Sequence, residues 1–116
     1  MAPEESKRVL DAIRSDQQRT AGQIHALERS VAAIVEAAEL TATDDEHDPE
    51  GTTIAYERAQ ALALLRQARL DLDRLVDARG VLESGGAIVC AICGREIGDE
   101  RLMALPTAIT CVDCAV

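Results

Sequence analysis

Cys90-Ala-Ile-Cys93 and Cys111-Val-Asp-Cys114 are two C-x-x-C pairs separated by 17 residues. Each pair can deliver two sulfurs from one tight turn. Four thiolates presented this way suit a single tetrahedral zinc ion. Four protein ligands leave no open position for water, so such a centre is structural and not catalytic. With all four thiols ionised, ion and ligands together carry a charge of about −2. Two disulfides would require an oxidising compartment, and Met1-Ala-Pro-Glu-Glu-Ser-Lys7 has no apolar leader character. A thioredoxin-type redox pair would require a βαβ context, whereas the preceding sequence has a helical period. An iron site made of the same four thiolates stays open on spacing alone.

The rest of the chain must position these sulfurs, and its composition limits how. Of 116 residues only Tyr56 is aromatic. Apolar bulk comes from Ala, Leu, Ile and Val, which suit helices and narrow seams better than a broad core. No apolar run approaches the roughly 18 residues of a membrane span, so a cytoplasmic protein without a membrane partner is expected. The net charge is −9, and residues 42–51 alone hold five acids and no Lys or Arg. Phosphate-backbone binding rests on clustered Lys and Arg, so direct DNA binding is not expected. An enzyme is not expected either: the chain has no nucleophile–base pair, no glycine-rich phosphate loop and no open metal site.

Two segments carry a heptad seam. In the first, Pro3–Thr41, the seam runs Leu10, Ile13, Gln17, Thr20, Ile24, Leu27, Val31, Ile34 and Ala38. Pro3 followed by Glu4 and Glu5 is a good helix start, and Gly22 is an interior cost of about 1 kcal/mol relative to Ala. In the second, about Pro49–Ser84, it runs Ile54, Arg58, Ala61, Leu65, Ala68, Leu72, Leu75, Arg79 and Leu82. Asp48-Pro49 reads as a cap and first turn, and Ser84-Gly85-Gly86 as a stop. Folding the chain back near residue 46 sets all nine positions opposite one another at once, from Leu10 against Leu82 to Ala38 against Ile54. The expected fold is therefore mostly α: an antiparallel coiled-coil helical hairpin followed by a small C-terminal four-cysteine zinc finger. Its expected division is a hairpin over 1–84, with an acidic tip at about 42–51, and a zinc module over 85–116. At 1.5 Å per residue, about 36 residues make an arm of roughly 55 Å. Such an arm buries little surface, and a metal module at its base can anchor it. Leu62, Leu64, Leu70 and Val76 lie off the seam and offer a second copy a surface.

Residues 43–51, Thr-Asp-Asp-Glu-His-Asp-Pro-Glu-Gly, join the two segments. The plain reading is a solvated loop whose acids cap the second helix. A calcium loop fits poorly, because Pro49 stands where glycine is required. The functional reading is delivery of carboxylates: Asp45, Glu46 and Asp48 on a stiff arm could enter a basic or metal-containing cavity.

The finger resembles that of the DksA/TraR family of transcription regulators. The resemblance lies in Cys90-Ala-Ile-Cys-Gly-Arg-Glu-Ile-Gly98, Arg101-Leu102, Ala104-Leu-Pro-Thr-Ala108 and Cys111-Val-Asp-Cys114. It extends more loosely over the hairpin. The resemblance implies a monomeric regulator that binds bacterial RNA polymerase directly, its arm in the secondary channel and its acidic tip near the active centre, with no DNA contact. Asp45 and Asp48 match the two aspartates of the family's D-x-x-D-x-A tip, whereas Glu50 stands where alanine is expected. The chain ends at Val116, where relatives often continue into a helix. The alternative reading is a zinc-stabilised interaction module, or a homodimer using the off-seam leucines, with no polymerase partner.

Overall fold

The computed structural model of the chain describes residues 2–41 and 49–115. Helix α1 spans Pro3–Thr41, α2 spans Pro49–Glu83, and a short α3 spans Asp99–Ala104. Among the described residues the only extended pairing is an isolated antiparallel bridge between Val89 and Glu96. The chain is thus mostly helical, a helical hairpin followed by a small cysteine-bearing module.

The helix ends follow their local chemistry. At the start of α1 the Glu5 carboxylate accepts the Ala2 N–H at 3.2 Å, and the Ala2 carbonyl accepts the Ser6 N–H. This satisfies donors that the first turn leaves unpaired. At the end of α2 Gly85 takes φ +80°, a left-handed conformation that glycine adopts without penalty. Its N–H bonds to the Leu82 carbonyl at 3.1 Å, while the Gly86 N–H reaches back to Val81 at 2.9 Å. That pair of bonds is a Schellman stop, and it turns the chain directly into the first cysteine pair.

The chain divides into two compact units, Met1–Thr20 with Asp71–Val116, and Ala21–Leu70. In the second unit Ala61, Leu65 and Ala68 of α2 are buried, and Ile24, Leu27, Val31 and Ile34 of α1 are half-buried. Small residues of α2 thus alternate with larger ones on α1 along the expected seam. That is how two helices close over a narrow interface. Every expected seam position of α1 is covered, and of α2 only Arg58 is exposed. A long cation on a seam keeps its head in water. Leu64 and Leu70, off the seam, are exposed, whereas Leu62 is half-buried.

The first unit holds the main core: Val9, Ile13, Leu75, Cys90, Ile97, Leu102 and Ala108, flanked by Ala78, Leu82, Ile88, Cys111 and Cys114. Val9, Ile13, Leu75 and Leu102 are all 0% exposed. The finger is therefore not an appendage with a core of its own. It completes its apolar interior with Val9 and Ile13 of α1 and with Leu75, Ala78 and Leu82 of α2. Polar seam residues pair in the same unit: Arg79 donates to the Gln17 side-chain carbonyl at 3.2 Å and to Glu83. Arg14 also reaches Glu83, at 3.8 Å. These guanidinium contacts, Arg79 foremost, hold the Glu83 carboxyl below its usual range. No described helix is long and apolar enough to cross a membrane.

Candidate metal centre

The two knuckles are built by short backbone turns. In the first, the Cys90 carbonyl accepts the Gly94 N–H at 3.0 Å. Gly94 takes φ +75°, which explains why a glycine follows the second cysteine. The returning segment pairs with the outgoing one through Cys90 N–H to Arg95 (2.7 Å) and Ile97 N–H to Ile88 (2.9 Å). In the second knuckle the Cys111 carbonyl accepts N–H groups from Cys114 and Ala115 at 3.1 and 2.9 Å. The two are joined by Ala91 N–H to the Ile109 carbonyl at 2.8 Å.

The segment between the knuckles is fixed by α3. Leu102 sits in the core, and the neighbouring Arg101 donates from Nε to the Thr110 carbonyl at 2.7 Å. That bond holds the backbone immediately before Cys111. Pro106 occupies the second position of a turn closed by Ala108 N–H to Leu105 at 3.0 Å, which suits its fixed φ. Ala108 is buried as part of the core. The Arg-Leu and Pro-x-Ala steps of the sequence thus have positional work: they aim the second cysteine pair at the first.

The four Sγ atoms all lie within 4.8 Å of one another, and Cys93 and Cys111 are 3.8 Å apart. A disulfide would bring sulfurs to about 2.05 Å. Zinc–sulfur bonds of about 2.3 Å in a tetrahedron set sulfurs about 3.8 Å apart. The donor set and spacing therefore fit one four-coordinate ion. When bound, zinc supplies structural cross-linking and offers no free coordination position. Cys90 is buried, Cys93 exposed, and Cys111 and Cys114 intermediate.

Electrostatics of the sulfurs point the same way. Backbone N–H groups at Cys93 and Cys111 pull the Cys90 thiol down to about 6. The Ile92 N–H adds a contact to its sulfur at 3.4 Å. The backbone N–H of Arg95, then its side chain, lower Cys93. Cys114, by contrast, is pushed up to about 12, chiefly by its hydrogen bond with Cys111 and then by burial and the other sulfurs. Four adjacent thiolates need a cation among them to be anionic together.

The acidic residues Asp45, Glu46 and Asp48, with His47, lie outside the described residues. His25 is exposed on α1. Two features escaped sequence reading. Val9, one position off the α1 seam, is fully buried because it faces the finger core. Its signal was the apolar pair Val9-Leu10, in which one residue had to serve a second surface. The other is an ion pair across the two knuckles, Arg95 Nη2 to Asp113 Oδ2 at 3.6 Å.

Residues 83–116 match the family model of the prokaryotic DksA/TraR C4-type zinc finger, which selects zinc over iron for the four sulfurs. A curated relative, the uncharacterised protein YteA of Bacillus subtilis (strain 168), is 39% identical over 72 residues, 62% of this chain. The chain spans only 30% of that relative's length. The fold is similar to that of transcription factor DksA2 from Pseudomonas aeruginosa, with a TM-score of 0.74, 20% identity, and coverage of 97% of this chain and 81% of that one. The finger over residues 83–116 is therefore of the DksA/TraR C4 type, and the fold along almost the whole chain is similar to that of DksA2.

Proposed function

We propose that the chain regulates transcription by binding RNA polymerase directly, with residues Asp45, Glu46 and Asp48 entering the secondary channel and no contact to DNA. The observation that carries this reading is the DksA2-like fold over 97% of the chain, combined with the family's zinc finger at the base of a helical hairpin. In this reading the zinc is a cross-link and the carboxylates are the effector groups. Negative charge brought near a magnesium-dependent centre alters the field at the metal and its basic surroundings. The protein acts as a cytoplasmic, monomeric, non-enzymatic regulator.

The state of the finger's cations supports the absence of DNA contact. Residues 85–116 hold two, Arg95 and Arg101. Arg101 is turned onto the Thr110 carbonyl and Arg95 toward Asp113, leaving no cluster for phosphates.

The deciding experiment combines core-polymerase pull-down with in vitro transcription, using wild type and Asp45→Asn with Asp48→Asn. The double variant is expected to keep its helicity and one zinc while losing the transcriptional effect. Equal effects of the two proteins would remove the tip from the mechanism. A second reading, a homodimer using Leu64, Leu70 and Val76, is favoured by the exposure of all three. A stable dimer mass in solution, together with failure to retain core polymerase, would select it.

A further inference from the structure

Between α2 and the finger lies an apolar surface that the core leaves uncovered. Val81 of α2 and Val89, Ala91 and Ile109 of the finger line a groove of about 300 Å³, together with Arg74 and Asp77 of α2. Asp77 and Val81 also line a second hollow with Val76 and Gly80, so the two depressions form one continuous face. Val76, Val81, Val89 and Ile109 are each between 38% and 52% exposed. Half-exposed aliphatic side chains gathered on one face, with a few polar groups among them, mark a contact surface.

The two charges in the groove identify what covers it. Arg74 is half-buried and Asp77 exposed, three residues apart on α2. Among the described residues neither makes an ion pair or a side-chain hydrogen bond within the chain. A partner presenting charge of one sign matches only one of them. A second copy matches both, because a two-fold axis that sets Arg74 against the other copy's Asp77 repeats the same pair in reverse. We propose that this face is a self-complementary contact through which two copies of the chain associate. Val89, the most exposed of the groove's aliphatic residues, enters the groove of the other copy. The face is small, and the net charge of −9 opposes bringing two copies together, so the association is weak and concentration-dependent. It is independent of the polymerase reading, in which the monomer acts, and of a dimer built on Leu64 and Leu70, which do not line the groove.

The test is sedimentation equilibrium of the full-length zinc-loaded protein from about 10 μM to about 1 mM, the range of a weak contact. Zinc content and helical circular dichroism show that each variant is folded. Wild type is expected to rise from monomer toward dimer mass over that range. Arg74→Asp and Asp77→Arg should each weaken association about tenfold, because each sets like charges opposite one another at two symmetric places. The two single variants mixed together should associate more tightly than either alone. Both substitutions in one chain should recover wild-type association, since the pairs then re-form with their signs exchanged. Val89→Glu should leave only monomer, whereas Leu64→Glu with Leu70→Glu should leave the association unchanged. A wild type still monomeric at the highest concentration would overturn the proposal. So would association that the charge reversals do not move, or a mixture no tighter than its parts. Loss of core-polymerase retention in Val89→Glu, with no self-association of wild type, would also overturn it and assign the face to the polymerase.

Discussion

At the scale of single residues the finger depends on a few side chains whose roles are geometric. Gly94 is the clearest case, with φ +75° at the turn that returns the chain from Cys93. A Cβ there meets nothing within 4 Å, so the penalty for alanine is conformational and not steric crowding. A left-handed non-glycine residue costs about 1–2 kcal/mol. Gly94→Ala is therefore expected to weaken zinc binding by about tenfold, because the strain falls on the folded knuckle. Competition with a chelator of known affinity measures it, and unchanged affinity would show that the turn relaxes elsewhere. Cys111→Ser should act more severely. It removes one of four donors and leaves a hydroxyl beside the core group of Ile97 and Leu102. Loss of stoichiometric zinc and a drop in helical circular dichroism are the expected readouts.

At the scale of elements, the heptad seams were legible because a period of three and four residues has one physical cause, a stripe facing a partner helix. The covered positions of α1 and α2 follow that stripe, with Arg58 as its exposed exception. The cysteine cluster was legible for a similar reason: two C-x-x-C turns are a local signal that needs no knowledge of the fold. What the sequence could not show is where a third surface lands. Val9 is buried by the finger, and nothing in the period of α1 marks it out from Leu10. Nor does composition reveal that Arg101 spends its guanidinium on a backbone carbonyl. Local pattern encodes faces of an element, whereas which neighbour covers a face depends on packing. One stripe position outside the seam can be tested directly. Gly22 lies exposed inside α1 with nothing within 4 Å of an added Cβ. Gly22→Ala should stabilise the helix by about 0.5–1 kcal/mol. Thermal unfolding followed at 222 nm should show a midpoint several degrees higher, and a lower midpoint would mean that the glycine serves a bend.

At the scale of the molecule, metal and helix ends share one interior, and that makes their stabilities reciprocal. Ile13 of α1 and Leu75 of α2 belong to the same buried group as Cys90, with Cys111 and Cys114 against it. Anything that binds only the folded form stabilises it, so zinc should raise the unfolding midpoint of the helical signal, and chelation should lower it. Linkage requires the converse: weakening the helix side of the core must weaken zinc retention. Ile13→Ala removes a fully buried side chain, a change that costs about 2–5 kcal/mol in a packed core. If the metal-free base is largely unfolded, most of that loss reaches the zinc equilibrium. Affinity should then fall by more than about tenfold, since about 1.4 kcal/mol is one decade. Leu65→Ala is the comparison, because Leu65 is buried in the other unit and has no place in the finger's core. It should lower thermal stability while moving zinc affinity much less. Equal losses of zinc affinity in the two variants would mean that the whole chain unfolds and binds metal as one cooperative body. No loss in Ile13→Ala would mean that the finger keeps its metal without help from the helices.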